Sequence, residues 1–271
     1  MRKLLVPTDF SECAENALDY ALFLAQKTNA EITLLSAYHI PSSGSATIVV
    51  NIQEDMRKET EEELTTLINK KKLAYPKVRI VAETDFNVPV NSILRHTENF
   101  DYDMIVIGTT GASGIKEMFL GSTTSNIVDK VKIPILAVPH NSDFKSINSV
   151  LMACSLENIK SVDSMNFLKL FATSLNLEVK FFNVYQEDDE ELESRLAKKK
   201  ESLKIIFDSF KYDIELIQSN DIEIAVLEAV GKNQLLSVVT RERKFFDKMF
   251  YPSMSKKLAK HSKSPLLILH E

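Results

Sequence analysis

The sequence predicts an α/β protein made of two tandem doubly wound domains. Three observations carry that expectation. Short apolar, β-rich runs alternate with longer segments of helical period along the whole chain; the order of these segments is given twice; and four of the six glycines fall in one stretch, GTTGASGIKEMFLGSTTSN (108–126). Alternation of this kind reads as βαβ units feeding a parallel sheet covered on both faces. Glycine is costly to order and is kept where backbone turns with positive φ or comes close to another group. The cluster therefore marks the place to look for a site.

In the first half, KLLVPTD (3–9) reads as a strand. A helix follows from about Ser11, with Ala14, Leu18, Ala21, Leu22 and Ala25 on one face. EITLLSAY (31–38) is the second strand, and HIPSSGSATIVV (39–50) reads as a loop able to form a flap. A charged helix is expected from Asn51 to Leu73, a strand at VRIVAET (78–84) and a helix opened by Pro89. Strand DMIVIG (103–108), another helix and strand PILAVP (134–139) complete five strands and four helices.

The second half repeats this order. Strands are expected at 149–155, 177–185, 212–219, 235–240 and 265–270, with helices near 159–175, 187–209, 221–231 and one ending near His261. IVDKVKIPILAVPH (127–140) aligns with LAKHSKSPLLILHE (258–271) at a constant offset of 131, placing Pro134 on Pro265 and DMIVIG on QLLSVV. So long a period means tandem domains rather than a solenoid. The expected domains are 1–140 and 147–271, joined by the polar segment HNSDFKSI (140–147).

Composition narrows the function. With 44% hydrophobic and 26% charged residues the chain has the balance of a soluble globular protein. Net charge is −5, from 14 basic and 19 acidic residues in 1–144 and 19 of each in 145–271, which disfavours a general nucleic-acid binder. Cys13 and Cys154 lack metal-ligand or disulfide spacing, and no histidine pattern argues for a metal. The apolar start is broken at once by Pro7 and Asp9, so neither a signal peptide nor a membrane span is expected. A cytoplasmic location is the resulting expectation. The basic and aromatic stretch 240–263 reads as a packing surface before a single-strand platform, and the acidic run 186–194 as a solvated helix start.

Ligands of open doubly wound sheets sit beyond the carboxyl ends of the strands, where strand order reverses. Gly108 and Gly111 lie at such an end, after the fourth strand. The chain has no G-x4-G-K-S/T loop, and no G-x-G-x2-G follows its first strand, but Gly108, Gly111, Gly121 and Ser122 fit G-x2-G-x9-G-S/T. A helix opening at Gly121-Ser122 presents free N–H groups to an anion, and the hydroxyls of Ser122, Thr123 and Thr124 add donors. Two bland alternatives stand beside this: Ser122 as a simple helix cap, and Asp9 as an acid favoured at a helix start.

PTDFSECAENAL (7–18), the glycine pattern and the closing IPILAVP (133–139) together resemble the universal stress protein family in its tandem form. The resemblance implies two open five-stranded parallel sheets of order 3-2-1-4-5, related by a pseudo-twofold axis, and an adenine nucleotide across the ends of strands 1 and 4. It implies that Asp9 and the backbone of Ala37 serve the ribose and adenine end, with Pro7 and Thr8 shaping that wall. Gly108 and Gly111 would let backbone approach the phosphates, which Gly121, Ser122, Thr123 and Thr124 would hold. It also implies pairing of closing strands, Ile135–Pro139 with Leu266–His270, and leaves room for a homo-oligomer.

The second half departs from the pattern where it matters. Val239, Glu242 and Pro252 stand where the first half has Gly108, Gly111 and Gly121, with Ser253 alone matching, and Ala153-Cys154-Ser155 replaces Pro7-Thr8-Asp9. The expected function is an ATP-binding stress-response sensor with one nucleotide per chain, any Mg2+ being held through the phosphates. No general base is evident and Lys116 is the one lysine in the motif, so slow hydrolysis is the most that is expected. A slow ATPase or nucleotide-dependent transferase, and a ligand-free assembly protein, are the alternatives.

Overall fold

A computed structural model describes residues 1–39, 46–109, 122–140, 142–154, 162–185, 191–208, 210–231, 233–240 and 264–270. The chain divides into two compact units, 1–133 with 138–141 and 134–137 with 142–271.

In the first unit, β1 (Lys3–Thr8) pairs in parallel with β2 (Glu31–Tyr38) on one side and β4 (Met104–Gly108) on the other. β2 pairs in parallel with β3 (Ile80–Phe86). The order β3-β2-β1-β4 puts the reversal of strand order between β1 and β4. β5 (Ile135–Val138) ends beside β4, where the Thr109 N–H donates to the Val138 carbonyl at 3.0 Å.

Helix α1 (Glu12–Thr28) forms because each local signal agrees. Ser11 caps it by accepting from the Ala14 N–H, Glu12 and Glu15 sit in its first turn, and Asn29 closes it in the left-handed region at φ 57°. The expected face of Ala14, Leu18, Ala21, Leu22 and Ala25 is buried, and the helix packs on β1 and β4. Helix α2 (Ala46–Lys72) lies alongside it, its buried Lys71 ammonium 2.9 Å from Glu15 and bonded also to Asp19. Helix α3 (Pro89–Asn99) opens at Pro89 as the sequence indicates.

Two boundaries differ from expectation. Residues 46–50 belong to α2 rather than to a loop: Thr-Ile-Val-Val has low helical propensity, and the longer helix overrides it. The remaining loop positions, 40–45, lie outside the described residues. β3 begins at Ile80 and runs to Phe86, two residues later than the apolar run, as a pairing partner rather than hydrophobicity alone fixes an edge strand's ends.

The second unit orders its strands as β8-β7-β6-β9-β10, again 3-2-1-4-5. These are β6 (Ser149–Ala153), β7 (Glu178–Tyr185), β8 (Tyr212–Gln218), β9 (Gln234–Thr240) and β10 (Leu266–His270). Residues 134–137 fall in this unit because β5 runs antiparallel to β10, with Leu266 opposite Ala137 and Ile268 opposite Ile135. Helices α5 (Val162–Leu175), α6 (Leu192–Ile206) and α7 (Ile222–Ala229) cover the sheet. The polar linker carries a single 3-10 turn, Phe144–Ser146, anchored by Phe144 at 5% exposure. The helix expected to end near His261 lies outside the described residues.

Candidate functional site

The turn from β1 into α1 is built by side chains. The Thr8 hydroxyl accepts from the Phe10 N–H at 3.0 Å, and one Asp9 carboxylate oxygen accepts from the Ser11 N–H at 3.2 Å and the Ser11 hydroxyl at 2.6 Å. The same Ser11 hydroxyl accepts from the Ala14 N–H. Phe10 sits at φ 60°, a left-handed conformation that costs a non-glycine residue about 1–2 kcal/mol and persists only when neighbours impose it. Sequence reasoning missed this device; the Asp-x-Ser spacing ahead of a helix was its signal. Asp9 is exposed and takes part in the helix start, so its local structural role is real whatever else it does.

Ala37 is half-exposed near the end of β2, one residue past the Thr8–Ser36 register pair. Asp9 and Ala37 thus follow one another at the ends of adjacent strands. Pro7 is half-buried within β1, in register with Leu35. Beside Ala37 in β3 lies Asp85, 3% exposed and paired with the Arg95 guanidinium, a residue that no motif singles out. Next to Ala37, burial raises the Tyr38 phenol above its ordinary value.

Gly108 ends β4, and its lack of a side chain has a local cause. A Cβ there would stand 2.9 Å from the Cys13 sulfur and 3.0 Å from the Cys13 carbonyl carbon and oxygen. Helix α1 fills the space a side chain at Gly108 would take, so this glycine permits close helix–sheet packing. The Cys13 thiol in turn lies 3.5 Å from the Val138 carbonyl. Helix α4 (Ser122–Val128) is shorter than expected and has no acid in its first turn. Thr124 is 2% exposed, and its hydroxyl donates to the Gly108 carbonyl at 2.9 Å, tying α4 to the end of β4. Thr123 is half-buried. Gly111 and Gly121 lie outside the described residues.

The corresponding corner of the second unit can be set residue against residue by register. Leu4 faces Met104 in the first unit, and Val150 faces Leu235 in the second. Counting along each strand puts Cys154 at the place of Thr8 and Val239 at that of Gly108. Burial pushes the Cys154 thiol up, opposed by the nearby Lys199 charge. Among the described residues no three His, Cys, Asp or Glu gather to hold a metal ion. No described helix is long and apolar enough to cross a membrane.

Comparison with known proteins agrees with this architecture. The profile of the Universal stress protein family matches residues 1–139. Over 145 residues the chain is 34% identical to Universal stress protein YxiE of Bacillus subtilis, covering 50% of this chain and 97% of that one. It is 30% identical to Universal stress protein MJ0531 of Methanocaldococcus jannaschii over 144 residues, 51% of this chain and 81% of that one. The crystal structure of a universal stress protein from Archaeoglobus fulgidus shares the fold over 99% of this chain and 98% of its own, with a TM-score of 0.72 at 19% identity. The chain belongs to the universal stress protein family.

Proposed function

We propose that this protein is an ATP-binding regulatory sensor holding one nucleotide per chain, in its first unit. The observation that carries the reading is the juxtaposition of Thr8-Asp9 and Gly108 at the carboxyl ends of paired neighbours β1 and β4, where strand order reverses. The glycine- and hydroxyl-rich stretch 108–124 leaves from that corner. Such a crevice is where doubly wound sheets take ligands.

The residues present fit an adenine nucleotide. Asp9 is exposed and Ala37 half-exposed at adjacent strand ends, so a carboxylate and a strand-end backbone edge are both accessible for ribose and base. Thr124 is engaged with Gly108, so phosphate contact falls to the backbone of Gly111 and Gly121 and the hydroxyls of Ser122 and Thr123. Bound ATP would supply a triphosphate whose charge those donors stabilise, and any Mg2+ would be held by phosphate oxygens. The second unit, with Val239, Glu242 and Pro252 in place of the three glycines, serves as structural or regulatory partner.

Mass spectrometry of small molecules released from the purified full chain, followed by calorimetric titration with ATP, tests this. A copurifying adenine nucleotide or saturable ATP binding supports it. The absence of both would return the protein to the assembly-protein reading.

A further inference from the structure

A groove of about 850 Å³ opens at the amino-terminal edge of the second unit's sheet, at the end of the strands opposite the corner already described. Its volume falls within the range of small-molecule sites, roughly 300–1,000 Å³. The lining comes from the starts of β6, β7 and β9 and from the turns leading into them, and it is unusually rich in donors. The Asn148 side-chain oxygen Oδ1 accepts from the Ser149 hydroxyl at 3.1 Å, and the Gln234 side-chain oxygen accepts from the Gly231 N–H at 2.9 Å. With their oxygens engaged inside the protein, both amides keep their NH2 groups for something else.

Asn176 and Asn233 add two further amides that make no side-chain hydrogen bond among the described residues. Asn176 owes its place to the left-handed turn after α5, at φ 55°, and its amide is not needed to hold that turn. Lys180, half-buried in β7, has no ion pair among the described residues. Asp213 stands beside it in register, but one Asp213 oxygen accepts from the Ile214 N–H at 2.8 Å. Lys211 lies at 3.8 Å from Glu178, a loose pair between two exposed groups that contributes little. Among the lining residues Lys180 and Lys211 face one carboxylate, Glu178; Asp213, beside Lys180 but outside the lining, keeps its own negative charge, so the groove is close to neutral, and the ring of Phe210 forms a wall.

We infer that this groove binds a small organic oxyanion, a molecule carrying carboxylate or phosphate oxygens. Its acceptor-rich groups match the amide donors and Lys180. The site belongs to the second unit alone and stands whether or not the first unit holds a nucleotide.

The full chain, labelled with 15N, is titrated separately with inorganic phosphate and with propane-1,2,3-tricarboxylate while side-chain NH2 resonances are followed. Saturable shifts at Asn148, Asn176, Asn233 and Gln234 with either probe support the inference, and the stronger probe names the oxyanion. Lys180→Gln and the exposed Asn233→Asp are each expected to weaken binding about tenfold, with the amide spectrum elsewhere unchanged. Shifts that fail to saturate at tens of millimolar, or that survive both variants at parental strength, overturn it.

Discussion

The sulfur of Cys13 stands 2.9 Å from the point a Cβ on Gly108 would occupy. Gly108→Ala therefore forces α1 away from β4 and should destabilise the protein by about 1–3 kcal/mol, the usual cost of overpacking a tight contact. Cys13→Ala in the same chain should recover part of that loss and not all, because the Cys13 backbone carbonyl is also within 3.0 Å. Denaturant unfolding of the two single variants and the double variant measures the coupling. Equal stability of Gly108→Ala and the parent would refute the packing account.

Asp9 joins two roles that one substitution can separate. Asp9→Ala removes the acceptor of the Ser11 N–H and hydroxyl, so stability should fall by about 0.5–1.5 kcal/mol. If the carboxylate also takes a ligand hydroxyl, ATP affinity should fall by a further 1–3 kcal/mol, roughly five- to more than a hundredfold. Titration calorimetry and thermal melting on the same sample decide between them. A lower melting temperature with unchanged affinity would leave Asp9 as a helix-start residue only.

Gly111→Asp and Gly121→Asp each set a negative charge and added bulk where phosphate is proposed to lie. Each should abolish ATP binding by the intact chain, while circular dichroism stays at the parental level. The same titrations give the stoichiometry. The parent should bind one ATP per chain and either variant none, since Glu242 and Pro252 put repulsion and a missing N–H donor in the second half. Two sites in the parent, or one surviving in the variants, would show that the second half also binds.

His96 is 7% exposed, with its ring 5.5 Å from that of Phe100 and its Nδ1 3.4 Å from the Tyr102 hydroxyl. Burial holds its pKa below the ordinary value, against the pull of Asp85 and Glu83 and together with the push of Arg95 and Lys3. A depressed histidine means that the unfolded chain takes the proton first. The stabilising contribution is therefore present above about pH 6.5 and is lost as pH falls toward the folded-state value. Unfolding free energy should decline on acidification through this window by at most about 1.4 kcal/mol per pH unit from this group. His96→Gln should flatten that slope, and an identical slope in the variant would assign the acid sensitivity elsewhere.

Much of this molecule was legible in the sequence. EITLLSAY matched its strand residue for residue, Pro89 opened its helix, and Ser11 marked the start of α1. These signals are local: periodicity, caps and proline act over a turn or a strand, so they survive without knowledge of the fold. The constant offset between the halves is a signal of the same kind, carried by pattern along the chain. Tertiary structure decided what depends on distant neighbours. Glycine at 108 reads in sequence as backbone kept open for a ligand, and only the approach of Cys13, 95 residues away, shows what fills that space. The Thr124 hydroxyl reads in sequence as a donor to a ligand, and only the fold shows it donating to the Gly108 carbonyl. Thr47 to Val50 looked like loop until α2 took them up, and the polar groove of Lys180 left no trace in any motif, because its donors come from turns and strands up to 86 residues apart, Asn148 to Gln234. Propensity and pattern are properties of a segment, whereas contact is a property of the folded chain.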